Sequence, residues 1–223
     1  MAHKVHPKAF RIKDNSGWYS RGFYEKKFPL LLEEDFLIRE FLHKRLKNIG
    51  ISEIEIDRFP GKINVAISCA RPGLIIGRQG QGIEALKKSL EKIIFKGEKP
   101  GKAKKSSAEL RVEIKEIPNP WASADYIAQS VAAQLEKRML YLKVLKQAIE
   151  KAMGSHEVKG IRIQVSGRLN GVEIARTAWL SKGKLPRQTI RSDIDYVFAF
   201  IHPHFDADDP VGAVRLRESI INV

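Results

Sequence analysis

Residues 74–90 read LIIGRQGQGIEALKKSL. Three apolar residues run into three glycines within six positions, and a helical stripe follows. Glycines that open a helix let backbone N–H groups approach a phosphate. Two phosphate-binding patterns share these letters: GQGIEA at 80–85, a G-x-G-x-x-A match, and the G-x-x-G turn GRQG at 77–80. A dinucleotide fingerprint needs a buried strand ending at its first glycine and an acidic residue about 20 positions further on. Gly80 is instead preceded by the polar turn Gly77-Arg78-Gln79, and the downstream region is rich in lysine. The G-x-x-G reading fits: a turn without side chains at either end links a short helix to a longer one and can approach a sugar–phosphate backbone.

The flanks supply the frame. Ile83, Leu86, Leu90, Ile93 and Ile94 stripe a helix over 81–95. Upstream, DFLIREFLHKRLKNI (35–49) sets Phe36, Leu37, Phe41, Leu42, Leu46 and Ile49 on one helical face, with Gly50 as the stop. Ile54 and Ile56 alternate with acidic residues. After the turn FPGK (59–62), Ile63, Val65, Ile67 and Cys69 alternate again, which predicts a hairpin. FKGEKPGKAKKSS (95–107) is a basic, turn-rich connector. Its GEKPGKA is one spacer short of a Walker loop and has Ala103 where magnesium needs Ser or Thr. Leu110, Val112 and Ile114 then alternate in a third strand.

IPNP (117–120) marks a boundary, with Asn119 as N-cap and Pro120 at the first helical position. Two helices follow, because the apolar positions change face near 139–142. The first uses Ile127, Val131 and Leu135; the second packs Tyr141, Leu142, Leu145, Ala148, Ile149 and Ala152. From Gly160 onward come strand-like runs, IRIQV, VEIARTAWL and TIRSDIDYVFAF, and VGAVRLRESI reads as an edge strand. The fold class is therefore α+β, with a second α+β domain of two helices on a mostly antiparallel sheet.

Forty Lys+Arg against 26 Asp+Glu give 223 residues a formal charge of +14. Such an excess suits a polyanion, whose counterions are released on binding. The single cysteine, Cys69, excludes an intramolecular disulfide and any C-x-x-C motif, and it sits in an apolar strand. Apolar runs of a few residues predict no membrane span, and MAHKVHPKAF lacks a signal-like apolar core. No nucleophile–base–orienter set is visible, so the chain is not expected to be an enzyme or to need a cofactor. His202, His204, Asp206, Asp208 and Asp209 are metal-ligand types, but Pro203 and Pro210 place them in a loop, and no metal is expected there.

IIGRQGQGIEAL (75–86) resembles the I-I-G-x-x-G-x-x-I-x-x-L core of a KH domain, and the order helix–strand–strand–helix–helix–strand resembles its type II form. KVHPKAFRI at the N-terminus, ARPGLIIG (70–77), VSGRLNGVEIARTAW (165–179) and SDIDY (192–196) extend the likeness over nearly the whole chain, which resembles the ribosomal protein S-three family of the small subunit. The resemblance implies a basic arm (1–34), a type II KH domain (35–117) and a C-terminal α+β domain (118–223) in the head of the small subunit. It implies contacts with small-subunit rRNA, a place where mRNA enters, and neighbours such as proteins S-ten, S-fourteen, S-four and S-five. It further implies a cytoplasmic, ribosome-bound protein that forms no homo-oligomer; a free-standing KH-type RNA-binding factor is the alternative. Carried over by position, Gly77, Arg78, Gln79 and Gly80 form the KH loop. Lys4, His6 and Arg11 match the arm on rRNA, Arg168 and Arg176 match the SGRL segment, and Lys143 and Lys146 match a basic cluster facing mRNA. Leu142 stands where an arginine is common, and the ending departs from the usual T-x-Y-G-x-x-G-V-K-V-W-I.

Overall fold

The computed structural model describes residues 5–11, 17–22, 28–46, 49–94, 109–186, 188–201 and 214–222. The chain forms two compact units, Gly17–Pro118 and Met1–Ser16 together with Asn119–Val223.

In the unit Gly17–Pro118, the two alternating runs form β2 (Ile51–Phe59) and β3 (Lys62–Cys69), paired antiparallel about a turn that uses Gly61 at φ 77°. β4 (Glu109–Glu116) lies parallel to β3. A parallel neighbour requires a crossover. Here α3 (Pro72–Ile76) and α4 (Gln81–Ile94) provide it. α2 (Phe28–Arg45) precedes the hairpin, so the order is that of a type II KH domain. Ile38, Leu42 and Leu46 join Leu86, Leu90 and the inward residues of β2, β3 and β4 in one core, with Cys69 fully buried. Burial of the Cys69 thiol pushes its pKa up, so packing is its role.

Three features differ from the sequence reading. α2 starts at Phe28, seven positions before residue 35, and turns Asp35, Ile38 and Leu42 inward while Phe36 and Leu37 are exposed. A fourth strand, β1 (Ser20–Gly22), pairs parallel with β2 at the sheet edge. Its sequence, SRG, has no apolar alternation. Backbone bonding holds it, with the Arg39 guanidinium donating to Ile54 O, Tyr19 O and Ser20 Oγ. Finally, the 34 residues expected as an arm supply elements to both units: α1 (Pro7–Phe10) to one, β1 and the start of α2 to the other.

In the second unit, α5 (Ala124–Glu136) and α6 (Tyr141–Met153) pack on a four-stranded sheet of β5 (Val158–Gly167), β6 (Arg176–Gly183), β7 (Ile194–Ile201) and β8 (Val214–Asn222). All three pairings are antiparallel, in the order β6-β5-β8-β7. β8 is thus interior, between β5 and β7, where the sequence reading made it an edge. Ile127, Val131, Val144, Leu145, Ala148, Ile161, Ile163 and Val165 form the core. Asn119 does not cap α5. Residues 120–122 form one 3-10 turn, Asn119 Nδ2 donates to Glu157 Oε1, and the first α5 amide, Ala124 N, donates to Asp195 Oδ2 at 2.9 Å.

Candidate nucleic-acid interface

The geometry of the turn explains its glycines. Gly77 ends α3 at φ 69°, ψ −175°, a conformation essentially reserved for glycine. Its N–H donates to Gly73 O at 3.0 Å. Gln79 (φ 54°) and Gly80 (φ 79°) are also left-handed, so the chain reverses within four residues and enters α4. Arg78 and Gln79 are exposed at the tip, with the exposed Leu74 just upstream. The first N–H groups of α4 have no partner inside the helix, and partial positive charge collects there. An exposed tip with Arg78 beside a helix N-terminus suits an RNA backbone. The third glycine, Gly82, is required by helix packing and not by a dinucleotide. A Cβ there would lie 2.3 Å from Ile75 O, so α3 and α4 meet backbone to backbone.

The N-terminal positions behave differently. Lys4 lies outside the described residues. Arg11 is only 2% exposed, and its guanidinium donates to Pro7 O and Thr189 O at 3.1 and 3.0 Å. Its charge seats α1 rather than facing solvent. His6 caps α1 by accepting from Lys8 N and meets the Tyr196 ring edge-on. Burial, then the Lys8 charge, lowers its pKa, so the imidazole is neutral at pH 7. Lys8 binds Asp195 at 2.7 Å, the same carboxylate that caps α5. The SDIDY segment therefore fastens α1 and α5 together through Asp195, a role its pattern did not show.

The C-terminal basic positions converge. Lys143 and Lys146 line a cavity of about 450 Å³ with Leu140, Leu142, Glu150 and Asn170. Asn170 belongs to the turn that follows Arg168, and Arg176 pairs with Gly167 at the same end of the β5–β6 hairpin. Leu142, expected on the packed face, is 49% exposed; Val144 takes a buried place instead. Leu142 sits in the first turn, about 90° round the helix from the centre of the buried stripe. The His202–Asp209 cluster and the 95–107 connector, including the rejected Walker-like GEKPGKA, lie outside the described residues. Among the described residues no His/Cys/Asp/Glu group could hold a metal ion, and no helix is long and apolar enough to cross a membrane.

Comparison with known proteins agrees with both halves. Residues 37–122 match the KH domain family, and residues 131–205 match the family described as ribosomal protein S3, C-terminal domain. The chain is 47% identical over 203 residues to the small ribosomal subunit protein uS3 of Caldicellulosiruptor saccharolyticus, covering 91% of this chain and 86% of that protein. It is 44% identical to uS3 of Synechocystis sp., covering 89% and 78%. Against uS3 of Endomicrobium trichonymphae it is 44% identical over 218 residues, covering 97% and 86%.

Proposed function

Since the chain belongs to the uS3 family of small ribosomal subunit proteins, we propose that it binds small-subunit rRNA and helps line the channel through which mRNA enters. As a member it is a structural constituent of the small subunit and not an enzyme. The observation that carries the RNA reading is the G-x-x-G turn, in which Gly77, Gln79 and Gly80 all have positive φ and which ends at the N-terminus of α4. Gly77, Arg78, Gln79 and Gly80 take an RNA backbone. Arg168 and Arg176 meet rRNA, and Lys143 and Lys146 face mRNA across the shallow cavity at the start of α6. Lys4 carries the N-terminal contact, while His6 and Arg11 act by seating α1. In this reading the protein works on cytoplasmic ribosomes, with neighbouring head proteins as its other partners.

Gly80 allows a clean test. A Cβ added there would meet no heavy atom within 4 Å, and aspartate tolerates left-handed backbone better than most residues. Gly80→Asp should cost only about 1 kcal/mol of stability. It should weaken single-stranded RNA binding roughly tenfold, the loss of one charge-assisted hydrogen bond. Wild-type affinity should fall by about 0.7 log units per log unit of salt for each phosphate engaged. Unchanged RNA affinity in folded Gly80→Asp would assign the loop to turn geometry alone.

A further inference from the structure

We propose that the solvent side of α2, around Leu30, Leu32, Glu33, Phe36 and Leu37, is the docking surface for a neighbouring small-subunit protein. That protein lays a basic, apolar segment on the helix and sets a lysine or arginine against Glu33. The proposal rests on membership of the small subunit and concerns a surface separate from the RNA contacts above.

A helix that is apolar on more than its packed stripe has a second face to cover. α2 sends Ile38 and Leu42 into the core, yet Leu30, Leu32, Phe36 and Leu37 are 60, 55, 64 and 38% exposed. Residues three and four apart are neighbours on a helix surface. Leu30, Phe36 and Leu37 therefore ring Glu33, itself exposed, and Leu32 stands one turn before Phe36. The patch continues off the helix. Arg39, one turn after Phe36, donates to Tyr19 O at 2.9 Å, which brings the backbone of Trp18 and Tyr19 to that side. Trp18 is 78% exposed. Exposed aromatic side chains beside aliphatic ones are the usual anchors of a protein interface.

Charge selects the occupant. A phosphate backbone needs available cations, and on this face it would meet carboxylates. Glu33 stands in the middle of the patch, and Glu40, one turn beyond Phe36, holds Lys44 at 2.6 Å. The Arg39 guanidinium is turned to the carbonyls of Ile54 and Tyr19, and Arg58 is held by Glu34 and Asp35. In a chain of formal charge +14, an apolar face centred on a carboxylate disfavours RNA and suits a cationic protein segment. The surrounding leucine and phenylalanine side chains would keep water from the pair that Glu33 forms. A second copy of this chain fits poorly, because a two-fold contact through this face sets the same carboxylate against itself.

The test places the photocrosslinking amino acid benzoylphenylalanine at position 36 of the full chain, irradiates assembled small subunits and maps the crosslinks by mass spectrometry. The expected result is a dominant crosslink to another small-subunit protein, in a peptide that carries lysine or arginine beside apolar residues. Glu33→Lys should lower its yield roughly tenfold, the low end for an interfacial charge pair, and Glu33→Gln should lower it less. Both variants change an exposed side chain and should leave the unfolding midpoint of the free chain unchanged, which separates lost docking from lost folding. Crosslinks from position 36 to rRNA, to a second copy of this chain or to nothing overturn the docking surface and leave the RNA contacts of the 77–80 turn standing. Equal yields from Glu33→Lys and the unaltered Glu33 chain overturn the charge pairing that selects the partner. A chain that does not enter small subunits overturns both readings.

Discussion

Gly82→Ala is expected to lower the free energy of unfolding by about 3 kcal/mol, the upper end of what overpacking a closed site costs. The added methyl would meet Ile75 O at 2.3 Å, Ile76 O at 2.9 Å and Ile76 C at 3.1 Å. All three are backbone atoms of α3, so no side chain can rotate away, and the two helices must separate. Ile75 at the end of α3 is buried in the core, which carries the disturbance beyond the loop. Gly73→Ala is the matched control. It lies in the same short helix with nothing within 4 Å of its Cβ position, and should gain about 0.5–1 kcal/mol from helix propensity. Chemical denaturation of the three proteins separates the two effects. Equal midpoints for Gly82→Ala and wild type would mean that α3 and α4 do not meet backbone to backbone.

Arg58→Met is expected to cost about 3 kcal/mol by the same measurement. Arg58 on β2 donates from Nε to Asp35 Oδ1 at 2.8 Å and from Nη1 to Glu34 Oε2 at 2.8 Å, with Nη2 2.7 Å from Asp35 Oδ1. The side chains of Arg58 and Asp35 are only 9% and 4% exposed. Removing the guanidinium leaves the Asp35 carboxylate in a poorly solvated position, which is costlier than losing a surface ion pair. Asp35→Asn combined with Arg58→Met should therefore cost less than Arg58→Met alone. Strictly additive effects in that cycle would mean the pair is not coupled.

How much of this was legible in the sequence depends on what kind of information each feature needs. The hairpin β2–β3, the strand β4 and the G-x-x-G turn were readable because alternation and glycine spacing are local signals. Periodicity sets residues on a common face but does not say where the core's edge falls. Phe36, Leu37 and Leu142 belong to the flank of their stripes, and only the packed fold shows them exposed. β1 carries no side-chain pattern at all, since backbone bonds and Arg39 hold it. The interior place of β8 is a matter of strand order, which no single segment encodes.

The candidate site divides in the same way. The family resemblance carried Arg11 over as an RNA contact, yet the fold closes Thr189 and Pro7 carbonyls over it. Gly77 and Gly80 were legible from the motif. Gly82 was not, because its requirement is the carbonyl of a residue seven positions earlier, brought near only by the turn. The convergence of Lys143 and Lys146 with the Arg168–Asn170 turn likewise needs the β5–β6 hairpin to fold back to the start of α6.

That this chain is an rRNA-bound constituent of the small ribosomal subunit is tested most directly by ultraviolet crosslinking of intact small subunits, with the crosslinked peptides and nucleotides mapped together. The expected result is co-sedimentation with the subunit and crosslinks to small-subunit rRNA from the 77–80 turn or from the basic end of the C-terminal unit. A chain that sediments free of small subunits, or whose crosslinks reach no small-subunit rRNA, would contradict it.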